Sequence, residues 1–500
     1  MTESIWKAKA SNAKAISLSE DIEVEVAIVG GGITGITTAY LLAEEGIQVA
    51  VLESMDVGGG TTAGSTGNLY TMVDNRLHHI QSKFNDKTAR KVAESRTTAI
   101  NLIEDLIKKY AIDCSFKRQP WVLYSETGEE ETIKTTKDTL EKFGLEVQDI
   151  TSTSLPFNIK SGIRVENQAQ FNPAAFVAGL AQKVDQNYCS IYENSPVHHI
   201  EKGSLHVLHT PTAKVRAKKV VLATHSPKGI YGLQMAIFPH REYALAARLR
   251  SGDYPEGIFW SAESKTHPSL RTYETEEGKF LITVGYHHKV GQADENKDYF
   301  GDLEKNLKRH YDVDTVAYKW SAQHYKSSDG LPYIGESTDD NIFVATGFST
   351  DGLTYGVVSA LIFRDLFTGK ENNWAEIYKA KRFTPLKSAK SFIKENLNVL
   401  GEYLKDYPGN ADAEMFSEVK AGEGKIVEIK NEKWAVHRSD DGTLCAASAV
   451  CTHMECIVNW NNEEKTWDCP CHGSRFKPTG EVIEGPAFSP LDKRSINPEK

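Results

Sequence analysis

A chain of 500 residues that is 40% hydrophobic has room for roughly two to four domains with cores of their own. Its net charge of −10, from 58 basic against 68 acidic residues, argues against nucleic acid or an anionic membrane as the main partner. No apolar run is long enough to span a bilayer, residues 1–14 lack the apolar stretch of a signal peptide, and seven cysteines are too few for a secreted disulfide scaffold, so the expected setting is cytoplasmic.

Residues 24–29 alternate and then run apolar, as a buried parallel strand does, and end in Gly30-Gly31-Gly32-Ile33-Thr34-Gly35. Residues 36–45 have helix character, Gly46 ends the helix, and 48–52 form a second strand closing on Glu53. In such a βαβ unit Gly30 permits the tight turn, Gly32 lets a pyrophosphate approach the backbone at the helix N-terminus, Gly35 allows close packing of helix on strand, and Glu53 can accept from a ribose hydroxyl. The unit serves NAD and FAD alike.

A second loop rich in glycine and hydroxyls follows at once, Gly58-Gly59-Gly60-Thr61-Thr62 and Ser65-Thr66-Gly67-Asn68. Further markers come in order: Phe171-Asn172-Pro173, the apolar run 219–224, Pro239-His240-Arg241, Asp329-Gly330-Leu331-Pro332-Tyr333-Ile334-Gly335, and Ala345-Thr346-Gly347-Phe348 through Gly352-Leu353. From 22 to 370 the chain resembles the D-amino-acid-oxidase-like flavoproteins, the group of glycine, sarcosine and glutamylputrescine oxidases. The resemblance implies FAD, held by Gly30, Gly32, Ile33, Thr34, Gly35, Glu53, Gly60, Thr61, Thr62, Gly347, Gly352 and Leu353, in a group where both covalent and non-covalent attachment occur. It also implies an α/β, Rossmann-like FAD-binding domain made of residues 22–75, 155–230 and 326–370, and an α+β substrate domain made of 76–154 and 231–325.

Within the substrate domain, 90–109 reads as an amphipathic helix with Val92, Ala99, Ile103 and Leu106 on one face, and strands are expected around 121–124 and 280–286. Residues 371–410 form a charged connector, helical over 386–404; with little glycine or serine it reads as a packed bridge.

Four of the seven cysteines lie between 451 and 471, in Cys451-Thr452-His453 and Cys469-Pro470-Cys471-His472. Two Cys/His pairs suit a 2Fe-2S centre with two thiolates on one iron and two imidazoles on the other. Zinc competes for the same ligands. Against zinc, each loop carries an extra cysteine, Cys456 and Cys471, and Gly473-Ser474 follows the second pair. Residues 411–500 resemble the Rieske iron–sulfur domain of the cytochrome-bc type, whose loops read C-T-H-x-x-C and C-P-C-H-G-S, and Gly485-Pro486-Ala487 resembles that family's proline loop. The resemblance implies a small all-β domain with strands near 419, 425–430, 433–437 and 466–469. It implies that Cys451 and Cys469 hold the buried iron and His453 and His472 the outer one, that Cys456 and Cys471 are disulfide-bonded, that Ser474 donates to the cluster, and that the histidines lie at a solvent-facing tip. Phe476 stands where respiratory members commonly have a tyrosine donor, so a lower potential is expected.

Arg241, Arg271, Tyr325 and Tyr355 are candidate substrate contacts, and Arg271 could grip a carboxylate bidentately, although structural roles suit each equally well. Cys114, Cys189 and Cys445 read as buried thiols. The whole reads as a FAD-dependent oxidoreductase acting on an amine or amino acid, with electrons passing to the Rieske cluster and on to an external acceptor. An oxygen-using oxidase with a structural Rieske domain, and an electron-transfer or redox-sensing protein without a small substrate, are the alternatives. A Rieske oxygenase would need a non-haem iron site of two histidines and a carboxylate, and no helix here carries that spacing.

Overall fold

The computed structural model describes residues 2–6, 16–74, 76–229, 231–263, 269–294, 297–382, 416–429 and 432–495. The connector helix expected over 386–404 lies outside them.

The strand Ile22–Val29 is half-exposed at its start and buried over its last four residues, and it pairs in parallel with Lys214–Leu222 on one side and Val49–Leu52 on the other. With Cys189–Tyr192 and Ile342–Thr346 also parallel, this sheet has the buried, apolar strands that helices on its faces require. The helix Ile33–Glu44 leaves the first strand at the glycine turn, and the helix Gly352–Thr368, apolar almost all round, packs beside it at the centre of the main core.

A second, mixed sheet runs Val313–Ser327, Ile237–Leu249, Gly278–Lys289, Ser269–Thr275, Ile258–Ser261, Lys117–Ser125 and Ser161–Gln170. Its strands Ile237–Leu249 and Val313–Ser327 pair in register as Phe238 with Lys326, Pro239 with Tyr325, His240 with His324, Arg241 with Gln323 and Glu242 with Ala322. Because side chains alternate, one face of this pair carries Pro239, Arg241, Gln323 and Tyr325 and the other Phe238, His240, Glu242, His324 and Lys326.

The expected helix at 90–109 spans Asp86–Tyr110, capped where Asn85 accepts the Thr88 amide, and it buries Val92, Ala99, Ile103 and Leu106. The same stripe buries Arg96. Its guanidinium donates to the carbonyls of Tyr70, Thr71 and Met72 and to Asp351 at 3.1 Å, and it lies 4.6 Å from the centre of the Tyr355 ring.

The last domain is built from two antiparallel sheets, Gly424–Ile429 with Glu432–Arg438 and Leu444–Ser448, and Asn459–Asn461 with Thr466–Asp468, Arg475–Phe476 and Val482–Glu484. The strand expected near 419 is instead a short 3-10 turn, Phe416–Glu418. The carbonyls there are taken by a side chain: Arg438 donates to Phe416 O and Val419 O, which leaves no ladder to join.

Among the described residues Asp351 is the one carboxylate bonded to the Arg96 guanidinium, and both are buried. Removing one partner of a buried ion pair strands the other charge, so Asp351→Ala should cost about 3–5 kcal/mol in urea unfolding of the flavin domain; a loss below about 1 kcal/mol would refute the pairing as a structural tie.

Candidate flavin and cluster sites

The glycine turn is shaped by close approaches. Gly30 has φ +108° and a Cβ there would meet Ala223 O at 2.6 Å, while a Cβ on Gly35 would lie 1.9 Å from Gly30 O. Thr62 Oγ1 accepts the Ile33 amide at 3.1 Å, so the second loop is pinned to the helix N-terminus, and a Cβ on Gly32 would sit 3.0 Å from that hydroxyl. A Cβ on Gly60 would meet nothing within 4 Å among the described residues. Glu53 closes the second strand with its carboxylate accepting the amides of Gly31 and Met55. The helix Gly352–Thr368 reaches the same place, since a Cβ on Gly356 would fall 2.7 Å from Thr34 Oγ1. Gly347, at φ +74°, follows Thr346, whose hydroxyl donates to His225 O. Bare backbone, a helix N-terminus and a ribose acceptor converge at the C-terminal ends of parallel strands, a donor set that fits the pyrophosphate and ribose of FAD.

The second sheet closes over this cradle. Trp320 Nε1 donates to Gly64 O at 2.9 Å, and Ala322 lies against Gly64, so the face bearing His240, Glu242, His324 and Lys326 looks toward the second loop. His240 and His324 stack with centroids 5.7 Å apart. Burial raises Glu242 to about 7, reinforced by Asp74 and Asp351 and opposed by Lys326. Asp74 accepts the Ser349 hydroxyl at 2.7 Å.

The two C-terminal loops fold alike. Glu455 N–H donates to Cys451 O at 3.0 Å and Gly473 N–H to Cys469 O at 3.1 Å, which bends each loop back over its cysteine. A disulfide joins Cys456 to Cys471, and both of its sulfurs lie within 4.8 Å of Cys469 Sγ. With Cys456 and Cys471 tied to each other, Cys451, Cys469, His453 and His472 are the side chains of the two loops that would hold a metal. The hydrogen bond from Cys469, aided by the amides of His453 and Met454 and by Ser474, draws the Cys451 thiol below its ordinary value, while the same contact and burial push Cys469 up. Burial holds both imidazoles at about 4, hence neutral, as ligation requires. The rings stand 5.1 Å apart, and Nδ1 of His472 is buried without a hydrogen bond. Ser474 Oγ accepts the Ala487 amide at 3.0 Å, which leaves its proton to donate toward the sulfurs. This donor set fits a 2Fe-2S cluster.

The histidines were expected at a solvent-facing tip. Instead the tip is seated on the flavin domain, taken as the whole of 22–370, at the stretch 231–325 expected to belong to its substrate portion, and His472 is 7% exposed. Tyr325 OH lies 3.3 Å from the carbonyls of His472 and Gly485, Gln323 Nε2 donates to Gly473 O at 2.8 Å, and His453 Nε2 lies 2.9 Å from Gln234 Oε1. Gly473 has φ +81°, and a Cβ there would meet Pro239 Cβ at 2.6 Å. A line of charge crosses the seam: Arg241 to Asp468 at 3.7 Å, Asp468 to Arg475 at 3.3 Å, Arg475 to Glu484 at 3.6 Å, and Glu484 to His225 at 3.2 Å. His225 Nδ1 is also 3.1 Å from Thr61 Oγ1 of the flavin loop.

Of the candidate substrate contacts, Arg241 and Tyr325 therefore lie on the face turned to the cluster, and Tyr355 is packed beneath Arg96. Arg271 donates to Gly67 O, sits over Trp6 and Tyr273, and is lowered to about 9 by burial. Sequence reasoning missed Gln234, Gln323, His225 and Asp468, none of which belongs to a local motif.

Gly32→Val should give protein without the flavin absorption band yet with its iron, because the two sites have separate cores. Retention of FAD by that variant would displace the pyrophosphate from this turn.

A family model described as DAO, FAD dependent oxidoreductase, matches residues 25–366, and one described as Rieske [2Fe-2S] domain matches 412–495. The chain is 33% identical to YhfW of Bacillus subtilis (strain 168), named for a Rieske 2Fe-2S iron-sulfur protein, over 99% of this chain and 98% of that one. It is 24% identical to the gamma-glutamylputrescine oxidoreductase of Escherichia coli (strain K12), over 74% of this chain and 89% of the relative. The crystal structure of glycine oxidase from Geobacillus kaustophilus superposes with a TM-score of 0.61 at 20% identity, over 72% of this chain and 99% of that one. The cradle of glycines, the cluster loops and these likenesses agree: the chain belongs to the DAO family of FAD-dependent oxidoreductases and carries a C-terminal Rieske domain.

Proposed function

We propose that the protein oxidises a small amine or amino acid and delivers the electrons through its own Rieske cluster to an external acceptor. Bound FAD would accept hydride from the carbon next to nitrogen and release electrons singly to the cluster. The observation that carries the reading is the seam itself, where His225 lies within hydrogen-bonding reach of the flavin loop at Thr61 and of Glu484 beside the loop that covers the cluster.

The chain's own part is to orient. Glu242 and Asp74 would offer carboxylates to an ammonium group and Lys326, 4.0 Å from Asp74, a cation to a carboxylate, charges that suit the amine and amino-acid substrates named for its relatives. His240 and His324 complete the face opposite the second loop. With all four cluster ligands and the disulfide present, a purely structural Rieske domain has less in its favour. Among the described residues no helix is long and apolar enough to cross a membrane, and the proposed setting is the cytoplasm.

Substrates can be sought by anaerobic screening of amines and N-methylated amino acids for bleaching of the flavin band. With a substrate in hand, Cys451→Ser should lose the cluster, still bleach in one anaerobic turnover, and fail in steady-state reduction of an acceptor served by the cluster. Wild-type turnover by this variant with every acceptor, oxygen included, would replace the proposal with a simple oxidase.

Glu242, neutral below about 7 and ionised above it, should make kcat/KM for a cationic substrate rise as pH passes through that value. Glu242→Gln should flatten that step; an unchanged profile would remove Glu242 from the substrate site.

A further inference from the structure

We propose that Gln234 of the flavin domain is a positioning residue for the iron ligand His453, and that through this one hydrogen bond the flavin domain helps set the reduction potential of the cluster.

Gln234 closes the short helix Tyr231–Gln234 just before the strand Ile237–Leu249, and it is 1% exposed. Its amide is not free to turn. Nε2 donates to Pro227 O at 2.8 Å, which leaves Oε1 to face His453 Nε2 at 2.9 Å. An amide oxygen only accepts, so Nε2 of His453 carries the proton and Nδ1, which is buried, carries the lone pair. That is the tautomer a neutral imidazole needs to bind iron through Nδ1. The acceptor does the work of an outer-shell partner, which fixes the ring and raises the basicity of the ligand.

Such partners usually belong to the domain that holds the metal. Here Gln234 and His453 are 219 positions apart in the chain. His472 is approached differently, through its carbonyl by Tyr325. A stronger donor on the outer iron favours the ferric state, so the docked flavin domain should hold the cluster potential below the value it would have without this contact. The inference concerns only the cluster ligand and holds whatever the substrate proves to be.

The test compares full-length, cofactor-loaded Gln234→Leu and Gln234→Glu by iron analysis and EPR-monitored redox potentiometry. Both should keep the wild-type iron content. The potential should rise in Gln234→Leu, which has no acceptor, and fall in Gln234→Glu, whose carboxylate accepts more strongly. The exchangeable proton coupling of the ligand imidazole should change in the leucine variant. Gln323→Leu is the control: it removes a bond to the Gly473 carbonyl across the same seam without touching an imidazole, and should leave the potential unchanged. Loss of iron from the leucine variant alone would support the same positioning role. Wild-type potentials in both Gln234 variants, loss of iron from both, or an equal shift in Gln323→Leu would overturn it.

Discussion

Two adjacent strands, Ile237–Leu249 and Val313–Ser327, hold this molecule's functions in relation to one another. Alternation along a strand sends neighbouring side chains to opposite faces, so a single sheet can serve two chemistries at once. One face carries Glu242, His240, His324 and Lys326 toward the flavin loop, and the other carries Arg241, Gln323 and Tyr325 into the cluster domain. A slip of one residue in their register would exchange the two sets. Ten consecutive pairs, from Ile237 with Ser327 to Ala246 with Tyr318, and the stacked His240–His324 pair hold that register in place.

The interface matches backbone to backbone as well as charge to charge. A Cβ on Gly291 would meet Pro470 N at 2.6 Å, as one on Gly473 would meet Pro239. Between these close approaches run Arg241, Asp468, Arg475 and Glu484, alternating in sign. Alternation matters because each carboxylate taken from water meets a guanidinium on either side or, at the end, His225. The burial of Asp468 alone would push its carboxyl up, yet Arg241 and Arg475 hold it below its ordinary value.

Chemistry written in consecutive residues was legible in the sequence. The glycine turn closing on Glu53 and the paired loops from Cys451 to Ser474 each place their groups within a few residues, so local geometry follows from spacing. Gln234 carries no such signal, and Arg241, marked in the sequence as a substrate contact, turns instead to Asp468. Their partners, His453 and Asp468, lie far along the chain, and which way a strand residue points depends on a register that no local pattern states. Arg96 shows a different blind spot: inside an amphipathic helix it reads as a break in the apolar stripe, and only the three carbonyls and Asp351 around it reveal a tie between the helix and the flavin cradle. The strand expected near Val419 was lost to Arg438, a side chain nineteen positions away.

The seating of His472 against Tyr325 bears on kinetics as much as on architecture. A separate iron–sulfur carrier would have to find its flavoprotein by diffusion, at a rate set by its concentration and by salt. Here the flavin cradle and the cluster loops share one chain and one interface, so the local concentration of one at the other does not change with dilution. Under the proposed function, transfer between the two centres would then be first order, and the imidazole of His453 is already met by Gln234 from the same chain.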